Sequence, residues 1–472
     1  MVAAGLCFAA DSVEILLLSF LSVVLQSSSS GWDISQEQTS MLTSTVFLGA
    51  MLGTLILGPL GDKVGRKPIF VTTAAILSLA GIGTAFTASF GQLMFLRFLV
   101  GAGVGGLTVP FDTLAEFVPT SQRGQNLLAI EYFWTAGTVL CPVLALLTLG
   151  GSHSEGDRDP WRLFVFACSI PCAVSLILGW IYVPESPRWL MIQGKHDEAL
   201  QVLRQAAATN GKDGLETFPE GTRLLADDVA GEAEGLNFMH LFSRGWWKIT
   251  LLMWITWFSF AFLYYGSVQV ITEIFADDGN EYLDGDDETG YSFDYSAIFV
   301  SATAEIAGTS LIMFLVDRLG RIRSQAYSYL AGGVSICLLC LLASNENTNR
   351  FLMIVIAFLA RMFFMSASCA TWVSTAEILT TEVRSTGHAA SNAVARLGGS
   401  LSPLLVSGKM SYPIMAVVLL AVSICTFASA SQLPETAGKA LGASSQPYEE
   451  PSNKTLTSSD KEEVDETSYQ IL

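Results

Sequence analysis

The chain has 472 residues, of which 51% are hydrophobic and only 14% charged, whereas about a quarter of the residues in an average soluble domain are charged. This composition is typical of an integral membrane protein and excludes an ordinary soluble domain. The formal net charge of −18 argues against nucleic acid or an anionic membrane surface as a partner, because both select for clustered lysine and arginine.

Apolar stretches of about 20 residues, the length that crosses the core of a bilayer, recur along the chain. They lie at residues 2–26, 39–60, 69–88, 91–113, 125–148, 161–183, 249–272, 295–316, 325–343, 351–374, 388–408 and 411–432. The sequence therefore predicts an all-α integral membrane protein with twelve transmembrane helices. Its predicted parts are an N-terminal six-helix half (1–183), a cytoplasmic central loop (184–248), a C-terminal six-helix half (249–436) and a disordered cytoplasmic tail (437–472).

Lysine and arginine residues are concentrated in alternate loops, and such residues are retained on the cytoplasmic side of a membrane. The loops of the opposite set carry only Arg158, Arg350 and Lys409. Both termini and the central loop are therefore predicted to be cytoplasmic, in a multi-pass protein of the plasma membrane or of an intracellular vesicle. The first span lacks a basic n-region and a small-residue cleavage site and contains two acids, so it is not predicted to be a signal peptide.

Three motifs recur in the same order in the two halves. The pairs are GDKVGRKP (61–68) with VDRLGRIR (316–323), AEFVPTSQRGQ (115–125) with AEILTTEVRSTG (376–387), and PESPRWL (184–190) with PETAGKAL (434–441). Each pair follows the same span of its half. Two six-helix halves related by an axis along the membrane normal are the pattern of the major facilitator fold.

These loops resemble the organic-ion and sugar-porter branch of the major facilitator superfamily. The stretches 115–139 and 254–275 resemble the SVOP-like, or synaptic-vesicle-two-related, transporters within it, and the resemblance covers about residues 5–438. It implies a secondary active transmembrane transporter, a symporter that moves a small organic solute (an organic ion, a sugar or a carboxylate) by alternating access together with protons. The alternative is a non-transporting receptor or vesicle constituent with the same fold. Charges retained inside the membrane favour transport, because they are costly to keep.

Charged residues at the ends of the spans form a doubled pattern that matches the repeated motifs. A carboxylate beside a tight glycine turn and an arginine can face a cation or a helix N-terminus. The resemblance implies a cytoplasmic gate that closes the inside and breaks on opening. Its residues would be Asp62, Gly65, Arg66, Glu116 and Arg123 in the first half and Asp317, Gly320, Arg321, Glu377 and Arg384 in the second. Charges that only set the topology are the alternative.

Two carboxylates, Asp11 and Glu14, lie one helical turn apart in the first span, with Asp11 about 15 Å from its start. Such a residue costs at least about 2.5–3.5 kcal/mol to insert, so it usually faces a cavity and marks a transport pathway. The resemblance to proton-coupled sugar porters implies that Asp11 accepts the proton and that Arg97, at the start of RFLVGAGVGG (97–106), is its partner. A static ion pair that fixes helix packing is the alternative.

Other intramembrane side chains are candidates for solute binding. The ionisable ones are Glu131, Glu305, Arg361 and Arg396. Glu305 is expected to neutralise Arg361 or Arg396, and an arginine left without an acid can hold the carboxylate of an organic anion. Among many aromatic residues, which suit cationic ligands but are common in membrane helices for packing, Trp134 and Tyr264 are predicted to line the cavity.

No enzyme, cofactor or metal is predicted, because the sequence has no Walker loop, zinc pattern or nucleophile elbow. The acidic loop 277–294 fails the calcium-loop pattern, since Thr289 stands where a glycine is required. The last four residues, Tyr469 to Leu472, have the form of an endocytic sorting signal for an adaptor, in a segment too charged to fold. A disordered tail with no sorting role is the alternative.

Overall fold

The computed structural model describes residues 1–26, 32, 34–117, 123–150, 160–222, 224–225, 241–243, 246–277, 293–316, 318–345, 348–379, 381–405, 410–436 and 469–470. The first half contains α1 (Val2–Gln26), α2 (Gln36–Val64), α3 (Arg66–Thr84), α4 (Phe90–Gly105), α5 (Thr108–Phe117), α6 (Arg123–Leu149) and α7 (Pro160–Tyr182). Short helices follow it: α8 (Pro187–Ile192), α9 (His196–Thr209) and α10 (Gly214–Thr217). The second half contains α11 (Trp247–Asp277), α12 (Tyr295–Leu315), α13 (Arg321–Ala343), α14 (Arg350–Ile378), α15 (Thr381–Leu401), a 3-10 turn (Ser402–Leu405) and α16 (Tyr412–Ala430).

Eleven helical stretches in the described part of the chain are long and apolar enough to cross a membrane, and one of them runs through α4 into α5. The remaining long helix, α15, is more polar. It packs between α2 and α11, and its Ser391, Asn392 and Arg396 are buried. Predicted span eleven is therefore a helix whose polar side chains lie inside the bundle, and the twelve-helix architecture is retained.

Helix packing is the same in the two halves. In the first half, α1 packs on α6 and α7, α2 on α4, and α3 on α4 and α7. In the second half, α11 packs on α15 and α16, α12 on α14, and α13 on α14 and α16. The halves meet through α2 with α15, α6 with α12, and α1 with α11. The first two contacts are exchanged by the same symmetry, so the predicted pseudo-symmetric fold is confirmed.

Small residues bring α4 unusually close to α2. A Cβ atom placed on Gly101 would lie 2.0 Å from the backbone oxygen of Val46, and one on Gly105 would lie 2.2 Å from that of Ala50. These glycines belong to the run RFLVGAGVGG (97–106), and small residues of this kind allow membrane helices to approach closely. The equivalent contact between α12 and α14 has only Gly308 in this role, and a Cβ there would lie 2.4 Å from the oxygen of Met362.

A segment of the central loop and a segment of the tail form one short parallel strand pair. Leu224 and Leu225 form β1, and Tyr469 and Gln470 form β2. The rest of the tail, including Leu472 of the predicted sorting signal, lies outside the described residues. The acidic loop predicted from 277 to 294 is described only at its ends.

Asp294 joins the beginnings of α12 and α14. Its carboxylate caps α12 by accepting from the backbone N–H of Ala297 and the hydroxyl of Ser296, at 2.9 and 2.5 Å. Its second oxygen accepts from Nε and Nη2 of Arg350, at 2.9 and 2.6 Å. Burial by itself raises the pKa of Asp294, but the hydrogen bonds from Ser296, Ala297 and Arg350 outweigh it and lower that pKa below its usual value. The ionised carboxylate therefore stabilises this helix junction.

Asp294→Asn should keep the helix cap, because asparagine caps as well as aspartate, and should lose only the charge. Asp294→Ala should lose the cap too, at a further cost of about 0.5–2 kcal/mol in the free energy of unfolding. Because the folded pKa is lowered, the stabilisation is present above the unfolded value of about 3.9 and is lost as the pH falls below it. Thermal unfolding in detergent should therefore show a gap between wild type and Asp294→Asn that narrows on acidification. A gap independent of pH would contradict this account.

Candidate functional site

A cavity lies at the centre of the molecule, where the two halves meet. Its wall includes Asp11 of α1, Glu131 and Trp134 of α6, Tyr265 of α11 and Arg396 of α15. Its volume of about 30 Å³ holds about two water molecules, whereas sites for organic ligands span about 300–1,000 Å³. This conformation therefore has no room for an organic solute, and the halves must move apart to admit one.

Aromatic rings close this cavity at both ends. We call the end of the bundle where α1 begins the motif side, because the repeated loops lie there. On that side, Phe111 of the first half lies 5.6 Å from Trp372 of the second, measured between ring centroids. Toward the other side, Phe47 of α2 lies 4.8 Å from Tyr265, and Phe20 of α1 lies 5.0 Å from Phe293. Each contact joins the two halves, so the conformation is occluded.

The expected ion pair between Asp11 and Arg97 does not form in this structure. Nη1 of Arg97 instead lies 2.5 Å from Oε2 of Glu14, and both side chains are buried. Residues three apart on a helix differ by about 60° around its axis and about 4.5 Å along it. That offset turns Glu14 toward α4 and leaves Asp11 facing the cavity.

The second buried pair joins Glu305 of α12 to Arg361 of α14. Nη2 of Arg361 donates to Oε1 of Glu305 at 2.6 Å, so Arg361 is the arginine that Glu305 neutralises. The same oxygen accepts from the hydroxyl of Tyr264 at 2.7 Å, and Oε2 accepts from Thr138 of α6 at 2.8 Å. Nε1 of Trp134 donates to the Tyr264 hydroxyl at 2.8 Å. Thr138 of the first half thus binds the charge pair of the second half directly, and Trp134 is connected to it through Tyr264.

Tyr264 was predicted to line the cavity, and it does not. Its hydroxyl lies between Trp134 and Glu305, and the next residue, Tyr265, lines the cavity in its place. Adjacent residues on a helix point about 100° apart, so the sequence alone does not decide between them. Trp134 does line the cavity.

Asp11, Glu131 and Arg396 remain after the two pairs are removed. Nη1 of Arg396 donates to the hydroxyl of Tyr265 at 3.3 Å, and Arg396 also attracts Asp11 electrostatically. Among the described residues, Oδ1 of Asp11 has no hydrogen-bond partner. Glu131 experiences the negative charge of Glu305. All three groups therefore face the cavity with their charges only partly compensated.

On the motif side, the first repeated loop meets the third. The carboxylate of Glu185, in PESPRWL, accepts from the backbone N–H groups of Arg66 and Lys67, at 2.8 and 3.2 Å. Gly65 has a φ of 117°, which favours glycine. A Cβ atom there would lie 2.5 Å from Oε2 of Glu185. The glutamate thus caps α3 directly over the glycine turn.

The second half repeats this arrangement. Glu435 accepts from the backbone N–H groups of Arg321 and Ile322, at 2.8 and 3.2 Å, beside Gly320 with a φ of 90°. Neither Glu185 nor Glu435 was predicted from the sequence to be a site residue. Both follow a proline in the third repeated motif, and this shared Pro-Glu pair was the signal that could have identified them.

Glu377, in the second repeated motif, links the first and third repeated motifs of the second half. Its Oε2 accepts from Nε of Arg321 at 3.2 Å and from the hydroxyl of Thr436 at 2.6 Å. Several predicted gate side chains lie outside the described part of the structure: Asp62, Glu116, Arg123, Asp317 and Arg384. The described gate residues are thus Gly65, Arg66, Gly320, Arg321 and Glu377.

Comparison with known proteins gives consistent matches along nearly the whole chain. The family model described as "Sugar (and other) transporter" matches residues 12–446. Organic cation/carnitine transporter 7 from Arabidopsis thaliana is 32% identical over 460 residues, which cover 89% of each protein. Synaptic vesicle 2-related protein from Xenopus laevis is 30% identical over 93% of this chain and 79% of its own. The structure of the E. coli xylose transporter, partially occluded and inward open, matches with a TM-score of 0.71 at 19% identity, covering 93% of this chain and 98% of that one.

Glu14→Gln should destabilise the protein strongly, because it leaves the buried charge of Arg97 uncompensated, at a cost of about 3–5 kcal/mol in the free energy of unfolding. Asp11→Asn, the matched change one turn earlier, leaves that ion pair intact and should cost much less. The double change Glu14→Gln with Arg97→Gln should recover part of the loss. Thermal unfolding in detergent measures all three. Equal losses in the two single variants would mean that Arg97 does not depend on Glu14.

Proposed function

The chain belongs to the Sugar (and other) transporter family, and from this premise we propose that it moves a small organic solute across a membrane by alternating access. We propose that this transport is coupled to protons. The observation that carries the proposal is the cavity between the halves, lined by Asp11, Glu131 and Arg396. Each intramembrane charge costs about 2.5–3.5 kcal/mol or more to insert. A protein that acts only as a receptor or vesicle constituent has less reason to keep these charges around a cavity closed at both ends.

In this proposal Asp11 is the proton-accepting carboxylate, and Glu14 and Arg97 support it as a fixed pair on the neighbouring turn. Asp11 is suited to the role because it faces the cavity and one of its oxygens has no partner among the described residues. Glu14 is less suited, because it is bound to Arg97. Protonation of Asp11 would remove its attraction to Arg396 on the opposite half and so change the balance between conformations.

The composition of the cavity favours an organic cation over a sugar or a carboxylate. Two carboxylates face one arginine, and the rings of Trp134 and Trp372 complete the wall with Tyr265. Aromatic faces and excess negative charge both attract organic cations. One relative is named for organic cations and carnitine, which agrees with this choice.

The motif side is proposed to be cytoplasmic, with the described loop contacts as its gate. The positive-inside pattern of the sequence supports this orientation. The contacts of Glu185 and Glu435 with the starts of α3 and α13, and of Glu377 with Arg321, tie the helix ends together in the occluded conformation. Opening toward the cytoplasm would require at least some of them to break.

Asp11→Asn should abolish solute accumulation driven by a proton gradient in proteoliposomes. Counterflow exchange of the same solute should be partly retained, because exchange does not require the empty carrier to load and release a proton. Accumulation is measured as uptake of radiolabelled organic cations and sugars under proton gradients of either direction. Counterflow exchange is measured with vesicles preloaded with the same solute. Loss of both activities in a stable, monodisperse variant would reject the coupling role of Asp11.

Glu377→Gln should shift the resting population toward the inward-open conformation, since it weakens contacts made in the occluded one. A cysteine is introduced at Ser368 in the cavity wall, in a background without other reactive cysteines. Its reactivity with a reagent added from the cytoplasmic side measures this opening. Glu216→Gln, on exposed α10, is the matched control and should leave the reactivity unchanged. If both variants react like wild type, Glu377 is not part of the gate.

A further inference from the structure

We propose that a proton and a monovalent organic cation occupy the central cavity alternately, so that the protein exchanges one for the other without net charge movement. The inference rests on the proposed transport function and specifies its coupling. It follows from the charges of the described intramembrane side chains, some of which are already paired with one another.

Among the described residues, two of the three buried arginines are each paired with a buried glutamate. Arg97 and Glu14 lie 2.5 Å apart with side chains 0% and 6% exposed, and Arg361 and Glu305 lie 2.6 Å apart with side chains 2% and 0% exposed. Each pair joins two helices of the same half. Neither needs a proton or a solute for neutrality, and both can stay intact while the halves move.

The charged side chains that remain line the cavity, and their formal charges do not cancel. Asp11 and Glu131 face Arg396, and all three line the same space. Arg396 can neutralise either carboxylate but not both at once. The other carboxylate has no cation of its own among the described side chains. An uncompensated charge in this position is unfavourable, so a bound proton or a bound cation stabilises the site.

The groups around these carboxylates do not change the count. Within the described residues, the ionisable neighbours are Glu14 and Arg97, Glu305 and Arg361, the phenols of Tyr264 and Tyr265, the thiol of Cys369 and, behind Trp372, the imidazole of His388. The first four are paired, and the phenols and the thiol are neutral at physiological pH. Imidazole is the side-chain group whose ordinary pKa lies near neutrality, so His388 must be tested separately.

A shared carboxylate makes the proton and the cation competitors. The carboxylate takes a proton from water on one side and releases it on the other as the anion, which then accepts the cation. The empty, ionised cavity is the costly state, so the halves interchange mainly with one of the two bound. A proton moving down its gradient then drives the cation in the opposite direction.

The test uses proteoliposomes and a panel of cations that cannot themselves titrate: tetramethylammonium, tetraethylammonium and choline. An acidic lumen should drive uptake, and two pH units allow as much as about 100-fold accumulation when one proton is exchanged per cation. A membrane potential set with potassium and valinomycin should have no effect, because one positive charge replaces another. A lumenal pH dye should report alkalinisation during uptake.

In Glu131→Gln the charges of Asp11 and Arg396 cancel, so the cavity no longer carries an uncompensated negative charge. Cation uptake in this variant should lose its response to the proton gradient and respond to an inside-negative potential instead. Asp11→Asn also removes one negative charge, from a different helix, and this variant is used instead if Glu131→Gln fails to fold. The matched control His388→Gln should retain the response to the proton gradient.

Other outcomes overturn the inference and identify what fails. Cation uptake driven by an acidic exterior would mean symport, and uptake driven only by membrane potential would mean that no proton is exchanged. Loss of the proton response in His388→Gln alone would place the titrating group on the imidazole. Transport of sugars without any of the cations would reject the exchange while keeping the transporter, whereas no transport of any solute would reject the proposed function itself.

Discussion

The structure depends on one constraint, which is that a charge inside the bilayer must find an opposite charge. Arg97 and Arg361 each lie on the fourth span of a half, and each is held by a buried glutamate from another helix of that half. Removing either partner would leave a charge where no water can reach it. These two ion pairs therefore fix how the helices of each half are rotated, and thereby decide which side chains remain to face the cavity.

The two buried ion pairs differ in their contacts with the opposite half. The pair of Glu14 and Arg97 is contained within the first half, whereas Glu305 also accepts from Thr138 of the first half and, through Tyr264, is connected to Trp134. The attraction between Asp11 and Arg396 likewise crosses the interface. Contacts inside a half can survive a rigid-body movement, but these crossing contacts must change. The proton-accepting and solute-binding groups proposed above are thus the same groups that hold the occluded conformation.

The spans, the repeated motifs and the division into two related halves could be predicted from the sequence, because they depend on hydrophobicity and on motifs that recur in order. The partner of Arg97 could not, because Asp11 and Glu14 differ only by a small rotation about one helix axis. The choice between Tyr264 and Tyr265 failed for the same reason. Glu185 and Glu435 were missed because their partners are backbone N–H groups, which have no signature in a sequence until the loops are known to meet.

The close contact of α2 with α4 makes the first half mechanically stiff. At Gly101 and Gly105 backbone meets backbone, with no side chain between them that could change rotamer and let one helix slide along the other. At the equivalent contact of the second half, Gly308 lies against α14 beside Met365, and methionine side chains readily adopt new shapes. Bending within a half, as opposed to rocking of whole halves, is therefore easier in α12 and α14, so the second half is the more compliant of the two.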